Sequence, residues 1–232
     1  MAKVFSKTLN PDGYELIPNA ISVQDLSEWD RVLKSAPEGS YRERKTGAKF
    51  AIRNVHLQLP QLRPLLEQGQ LPTLATEVLG AEVKLVSATL FDKLPGANWF
   101  VPPHQDLLVP ISGKTNDSRW TNWTKKAGVL YVEPPLEVQK QLLAVRVHLD
   151  ECPGKNGALE VVPGTHHSRL TEEDISLIEE ASFQICPADA GDILLMRPLL
   201  VHRSRTAKLP QRRRVLHVVY SVAILPDGLE WT

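Results

Sequence analysis

The spacing of hydrophobic residues divides this chain into two parts that meet near residue 82. In the first part, apolar residues recur at helical intervals behind Ser22, a good helix N-cap, and predict a helix that runs to about Ala36. Proline near the start and glycine near the end predict two further short helices, over residues 60–68 and 72–79. The first third of the chain is therefore expected to be mostly helical.

From residue 82 onward the apolar spacing changes to two, which is typical of β-strands. Residues 82–93 begin this pattern. In a predicted strand at 141–150, Leu143, Val145 and Val147 share one face, while the opposite face is polar and is expected to line a pocket. The other predicted strands cover residues 99–109, 129–132, 158–162, 183–186, 192–197 and 213–225.

These short strands are separated by Gly/Pro turns, and no helix recurs regularly between them. The pattern therefore predicts a mainly antiparallel double sheet, a sandwich or barrel, rather than βαβ units. The polar stretch 112–126 has no clear period and is expected to form a loop or lid over the site. We see no repeat and no linker, so a single domain is expected for all 232 residues.

Charge and cysteine content narrow the classes of protein. Lys+Arg and Asp+Glu are both 27, so the net charge is zero and no overall field attracts nucleic acid or an anionic membrane. The two cysteines lack CxxC spacing, which suits a reducing compartment and argues against structural zinc. No apolar run suits a signal peptide or a membrane span. We expect a soluble cytoplasmic protein that acts on a small molecule; its oligomeric state stays open.

Three residues form a candidate metal site. His104 and Asp106 are two positions apart, so on a strand their side chains share a face. A lone histidine is more often structural than a ligand, but His202 follows an apolar strand that would return it to the first two. Two histidines and one carboxylate, with the other coordination positions open, are the arrangement of non-heme Fe(II) oxygenases.

An ordered set of motifs surrounds these three residues and covers about residues 82–225. The motifs lie at residues 91–93, 98–99, 103–106, 146–150, 156–159, 162–166, 191–192, 197–204 and 213–217. In this order, the set resembles the phytanoyl-CoA dioxygenase family of Fe(II)/2-oxoglutarate oxygenases. A lone HxD would be weak evidence, whereas the ordered set is specific.

The resemblance implies a fold and a cofactor set. It implies a double-stranded β-helix, a cupin-like jelly roll, over residues 82–225, with a mostly helical lead-in over 1–81. It also implies that Fe(II) binds to the triad, that the cosubstrate 2-oxoglutarate takes two of the open positions, and that O₂ takes the last. The distal carboxylate of 2-oxoglutarate would bind to Arg213, eleven positions after His202, with its neighbours Arg212 and Arg214 as alternatives if the strand register differs. Ser204 either adds a hydrogen bond to that carboxylate or is a strand-surface hydroxyl.

Several other side chains are candidate contacts to the substrate or cosubstrate. They are Lys93, Trp99, Trp120, Arg146 and His148. Arg146 is the most informative, because an arginine that points into a barrel needs an anion, either 2-oxoglutarate or a substrate carboxylate.

The reaction predicted from these residues is the hydroxylation of a small organic molecule with release of succinate and CO₂. Related halogenases replace the acidic ligand with Gly or Ala, so Asp106 disfavours halogenation. Two alternatives remain open from the sequence. One is a non-catalytic jelly-roll sensor that binds metal or 2-oxoglutarate, and the other is a cupin-like metalloenzyme that does not use 2-oxoglutarate.

Overall fold

The structure is a computed structural model that describes residues 9–43, 49–95, 98–208, 211–226 and 228–232. Its α-helices within these ranges are α1 (Leu9–Asp12), α2 (Val23–Lys34), α3 (Val55–Gln58), α4 (Arg63–Glu67), α5 (Gln70–Leu79), α6 (Leu136–Gln139) and α7 (Glu172–Ser176). None of the helices in these ranges is both long and apolar enough to cross a membrane.

The strands lie mainly in the second part of the chain. They are β1 (Tyr14–Ile17), β2 (Arg42–Glu43), β3 (Lys49–Ile52), β4 (Lys84–Lys93), β5 (Val101–His104), β6 (Val109–Ile111), β7 (Thr121–Lys126), β8 (Val129–Glu133), β9 (Leu142–His148), β10 (Leu159–Val161), β11 (Gln184–Cys186), β12 (Ile193–Met196), β13 (His202–Ser204) and β14 (Arg213–Ser221).

The strands form three sheets in the described part of the chain. The large sheet has the order β1-β12-β9-β14-β4-β3-β2, the small sheet has the order β11-β10-β13-β5, and β6-β8-β7 form a third sheet. Each strand pair in them is antiparallel. The predicted fold class, mainly β with flanking helices and an antiparallel double sheet, is confirmed.

The large sheet is buried on both faces, and this places the site between two sheets. On one face, Val145 and Leu216 pack in a cluster with Leu33 and Leu66 of the N-terminal helices. The opposite face contributes Ala144 to a second cluster that includes Leu159 and Val161 of the small sheet. Burying the alternate residues of β9 against two different layers fixes the strand register, since a slip by one residue would exchange the two faces.

The helical predictions for the first third are largely confirmed. The Ser22 hydroxyl accepts a hydrogen bond from the backbone N–H of Asp25 at 3.1 Å and caps α2. Gly80, with a φ of 78°, ends α5 in the left-handed conformation that favours glycine. The same third also supplies β1 and β3, which pair with β12 and β4 of the large sheet.

The expectation of a loop over residues 112–126 was wrong for its second half. Thr121–Lys126 forms β7, which pairs with β8 from Thr121↔Glu133 to Lys126↔Val129. The strand is polar along most of its length and lies at the edge of its sheet, so backbone hydrogen bonds define it rather than an alternation of apolar side chains.

Candidate metal centre and its pocket

The two candidate histidine ligands lie opposite each other on neighbouring strands of the small sheet. His104 at the end of β5 pairs with His202 at the start of β13, and their ring centroids are 4.3 Å apart. Asp106 follows β5 after one intervening residue, and its backbone N–H donates to the Pro198 carbonyl at 2.9 Å. The Asp106 carboxylate oxygens lie 3.7 Å from His104 Nε2 and 3.6 Å from His202 Nε2. The three ligand atoms lie within 4.8 Å of one another, so one metal ion could contact all three.

Backbone carbonyls fix the orientation of both imidazoles. His104 Nδ1 lies 2.8 Å from the Pro102 carbonyl oxygen, and His202 Nδ1 lies 2.9 Å from that of Leu200. A carbonyl oxygen can only accept, so each Nδ1 carries the proton and donates it. Each Nε2 is therefore left with its lone pair toward Asp106, the tautomer that a metal ligand requires.

The protonation states of the group suit a divalent cation. Burial alone would raise the pKa of Asp106, but the positive charge that His202 and His104 can carry outweighs it and lowers that pKa to about 2. Burial lowers the pKa of His202 to about 4. At neutral pH the carboxylate is therefore ionised and His202 is neutral, as metal binding demands. Two imidazole nitrogens and one carboxylate oxygen are the donor set of non-heme Fe(II) centres, so these residues fit that metal.

A cavity of about 620 Å³ lies beside this group, and residues from both sheets line it. The small sheet contributes His104 and His202, and the large sheet contributes Phe91, Val215 and other residues of β4, β9 and β14. This volume lies within the usual range for small-molecule sites, roughly 300 to 1,000 Å³. The cavity therefore has room for small organic ligands next to the three candidate ligands.

Three consecutive arginines, the first just before β14 and the other two at its start, have different surroundings. Arg212 pairs with Asp92 at 2.8 Å, and Arg214 pairs with Asp150 at 2.7 Å. Arg213 lines the cavity, is only 7% exposed, and lies within ion-pair distance of no carboxylate of the described residues. Of the three alternatives raised by the sequence, only the Arg213 guanidinium is therefore both in the cavity and without a protein counter-charge.

Neutral acceptors hold Arg213 in place. Its Nη1 donates to the Gly157 carbonyl and lies 3.1 Å from the Cys152 sulfur, and its Nη2 lies 3.5 Å from Ser204 Oγ. Gly157 has a φ of +69°, and an added Cβ would lie 2.6 Å from the Arg205 carbonyl oxygen. The turn that brings this carbonyl to Arg213 therefore requires glycine.

Lys93 adds a second cation at this end of the cavity. It lies directly opposite Arg213 in the β4–β14 register. Its Nζ donates to Ser204 Oγ at 2.9 Å and to the Trp99 carbonyl at 3.1 Å, and it lies 4.5 Å from the centre of the Trp99 ring. Ser204 Oγ in turn donates to the Gly157 carbonyl at 2.9 Å, so its proton is directed to the backbone. This arrangement makes Ser204 a link between Lys93 and the Gly157 turn.

Arg146 lies in the cavity between the two sheets. It pairs with His217 across β9 and β14, and its Nη1 donates to His217 Nδ1 at 2.9 Å. That nitrogen must accept, so His217 is neutral; burial lowers the pKa of His217 to about 3. Trp99 also lines the cavity.

Two predicted contacts are not brought to the cavity. Trp120 is 4% exposed and packs in an apolar cluster with Val109, Ile111 and Val132, where a large aromatic side chain buries more area than at a pocket wall. His148 shares the strand face of Arg146, but it lies two residues, roughly 7 Å, farther along β9 and is not among the lining residues.

Comparison with known proteins places the chain in a family. Residues 10–215 match the family described as phytanoyl-CoA dioxygenase (PhyH). The chain belongs to this family. Methylphosphonate hydroxylase from Gimesia maris is similar, with 22% identity over 228 residues that cover 91% of this chain and 77% of that protein.

Several proteins of known structure have a fold similar to that of this chain. EctD from S. alaskensis, solved with 2-oxoglutarate and 5-hydroxyectoine, is 18% identical with a TM-score of 0.70, and the match covers 92% of this chain and 73% of that one. The epimerase SnoN, solved with Fe³⁺, alpha ketoglutarate and nogalamycin RO, is 19% identical with a TM-score of 0.67, covering 95% and 84%. Family membership and these likenesses confirm the predicted enzyme class, a 2-oxoglutarate-dependent oxygenase with a cupin-like fold.

Some pocket residues of this family member were missed by the sequence reasoning. Arg53 and Lys126 line the cavity from segments far apart in the chain. Neither lies in a motif, and only the tertiary fold brings them together. The Gly157 carbonyl was also missed, although residues 156–159 were recognised as a motif, because a sequence pattern does not show which side chain a backbone carbonyl will meet.

Proposed function

We propose that this protein is an Fe(II)- and 2-oxoglutarate-dependent dioxygenase that hydroxylates a small organic molecule and releases succinate and CO₂. The observation that carries the proposal is the presence, in one cavity, of the His104/Asp106/His202 group and the buried Arg213. A metal centre and a separate cation for the distal carboxylate are the two things that the cosubstrate requires.

In this proposal His104, Asp106 and His202 would hold Fe(II). When bound together with 2-oxoglutarate, the metal supplies the redox chemistry that activates O₂. The Pro102 and Leu200 carbonyls keep both imidazoles in the tautomer that binds metal. The role of the protein is thus to fix ligand geometry before the ion arrives.

Arg213 would bind the distal carboxylate of 2-oxoglutarate. Its guanidinium is oriented by the Gly157 carbonyl and has no protein carboxylate within ion-pair distance among the described residues. Lys93 lies opposite it and would add a second positive charge to the same end of the cavity. Ser204 would act mainly by positioning these two cations, because its own proton is directed to Gly157.

The choice of hydroxylation rests on the acidic ligand and on one relative. Related halogenases have Gly or Ala in place of the acidic ligand, whereas this chain has the carboxylate of Asp106. The similarity to methylphosphonate hydroxylase supports the same reaction class. We also propose a cytoplasmic location, supported by the free, buried thiols of Cys152 and Cys186, which suit a reducing compartment.

Succinate formation tests the proposal. Purified protein should convert 2-oxoglutarate to succinate and CO₂ when it is given Fe(II), O₂ and ascorbate, which supplies the two electrons that reduce the second oxygen atom to water when no substrate is present. His104→Ala and Asp106→Ala should each lose iron on desalting and lose succinate formation, while His167→Ala, an exposed histidine outside the cavity, should retain both. Substantial turnover in either ligand variant would refute the triad. Iron and 2-oxoglutarate binding without succinate formation would favour a sensor, and turnover independent of 2-oxoglutarate would favour the cupin-like alternative.

A further inference from the structure

The cavity next to the metal centre is strongly positive. Among the described residues that line it, one carboxylate, that of Asp106, faces six basic side chains. They are Arg53, Lys93, Lys126, Arg146, Arg203 and Arg213. Positive charge is therefore concentrated around the cavity, although the net charge of the whole chain is zero.

The proposed cofactors do not neutralise this charge. Arg203 is paired with Glu160 and Glu180, both at hydrogen-bond distance, and can be set aside. The two charges of Fe(II) and the two of 2-oxoglutarate cancel, so five basic side chains and the single carboxylate of Asp106 remain in the described lining. Arg146 is one of these cations, and it forms no ion pair with a carboxylate of the described residues. Buried unpaired charge is costly, so a further anion is expected at this position.

The contacts of Arg146 leave one edge of its guanidinium free for such an anion. Nη1 donates to His217, whereas Nε is buried and has no hydrogen-bond partner among the described residues. Nη2 makes no side-chain hydrogen bond with them either. The Nε–Nη2 edge is the one that binds two oxygens of a carboxylate or phosphonate side by side. Burial lowers the pKa of Arg146 to about 10, so the side chain stays charged at neutral pH.

This edge is separate from the proposed distal carboxylate site. Arg146 pairs with His217, which lies four residues after Arg213 on β14. Four residues of a strand span roughly 13 Å. Arg146 interacts electrostatically more strongly with Asp106 than with Arg213, so its guanidinium lies toward the metal centre. A group bound to Arg146 would thus be held near the reacting atoms rather than at the far end of 2-oxoglutarate.

We propose that the substrate of this enzyme is a small anion whose carboxylate or phosphonate group binds to the Nε–Nη2 edge of Arg146. This inference rests on the proposed function and specifies its substrate class. Arg53 and Lys126, which also line the cavity, would favour the same charge in an approaching ligand.

Binding of a matched pair of probes tests this. The protein is loaded with Mn(II), which replaces iron without turnover, and saturated with 2-oxoglutarate so that Arg213 is occupied. Methylphosphonate and its neutral ester dimethyl methylphosphonate are then titrated by calorimetry. Wild-type protein should bind the anion and not the ester. Arg146→Gln should bind the anion about tenfold or more weakly, because a charge-assisted bidentate contact is lost.

Two further variants make the result specific. Arg205→Gln removes an arginine outside the cavity, paired with Glu160, and should bind methylphosphonate as the wild type does. Arg146→Lys keeps the charge but lacks the bidentate edge, so it should also bind more weakly than the wild type. If Arg146→Gln does not unfold cooperatively, Arg146→Lys decides the question.

The inference is overturned if wild-type protein binds the ester as well as the anion, or binds neither, or if the Arg146 variants bind methylphosphonate normally. It is also overturned if Arg146→Gln weakens 2-oxoglutarate binding as much as Arg213→Gln does, since Arg146 would then serve the cosubstrate. Wild-type protein that binds methylphosphonate but not 2-oxoglutarate would instead contradict the proposed function and leave the anion site standing.

Discussion

The neighbouring arginines Arg212 and Arg213 allow a matched test of how 2-oxoglutarate is anchored. The two residues are adjacent in the chain, with Arg212 immediately before β14, but the Arg212 side chain is 46% exposed and paired with Asp92, whereas Arg213 is buried in the cavity. Arg213→Gln removes the buried charge and keeps a polar side chain. Arg212→Gln removes an equal charge outside the cavity.

The expected difference between the two variants is large. Truncating one member of a buried, hydrogen-bonded charge pair costs about 2–5 kcal/mol. That corresponds to roughly 30-fold to several thousand-fold weaker binding of 2-oxoglutarate by Arg213→Gln. Arg212 pairs with the buried carboxylate of Asp92, so Arg212→Gln should lower the stability of the fold. Neither residue of this pair lines the cavity, so the variant should still bind 2-oxoglutarate nearly as the wild type does.

Anaerobic titration provides the assay. With Fe(II) bound, 2-oxoglutarate is added without O₂ and the metal-to-ligand charge-transfer band is followed. Arg213→Gln should show the band only at much higher 2-oxoglutarate concentration, while Arg212→Gln should follow the wild-type curve. Denaturant unfolding of both variants controls for folding. Equal curves for the two variants, or an unchanged curve for Arg213→Gln, would show that another residue anchors the distal carboxylate.

Two further predictions concern stability. Burial lowers the pKa of His148 to about 4 and that of His217 to about 3. The unfolded chain therefore takes up protons first as the pH falls below about 6.5, and the free energy of unfolding should drop by about 1.6 kcal/mol per histidine between pH 6.5 and pH 5. Denaturant titrations at these two pH values measure it, and equal free energies would contradict it. Gly157→Ala should destabilise by more than about 1 kcal/mol, because strain and a backbone clash combine. Gly128 is the control, since its φ is +83° but an added Cβ would meet nothing within 4 Å, so Gly128→Ala introduces backbone strain without a clash. An equal loss of stability in the two variants would show that the clash at Gly157 contributes nothing.

The sequence allowed the small-sheet side of the site to be predicted because the side-chain period of a strand is two. His104 and Asp106 share a face for that reason, and His202 follows an apolar strand that returns to them. The structure brings the three side chains together, with His104 and His202 opposite each other in the β5–β13 register and Asp106 just beyond β5. The choice among Arg212, Arg213 and Arg214 could not be settled in this way. It depends on which of them finds a carboxylate, and the partners Asp92 and Asp150 lie 120 and 64 residues away along the chain.

The charge of the cavity was also beyond sequence reasoning. Arg146 could be placed on the inward face of β9, but the assembled sheets decide that, among the described residues, its guanidinium bonds to His217 and keeps one edge unbonded. For Trp120 the sequence suggested a pocket contact, but the structure buries the side chain in an apolar cluster. An aromatic residue in a polar stretch suggested a pocket wall, and its burial with Val109 and Val132 depends on β7 pairing with β8, which the polar pattern did not predict.

The central claim is that the enzyme oxidises 2-oxoglutarate at a metal ion held by His104, Asp106 and His202. The most direct test is a single turnover. Protein loaded with one equivalent of Fe(II) and with 2-oxoglutarate is prepared without O₂, mixed with O₂ and ascorbate, which takes the place of a substrate as the two-electron reductant, and quenched for measurement of succinate. Succinate should form in proportion to the bound iron. Intact 2-oxoglutarate after O₂ exposure, with iron still bound, would contradict it.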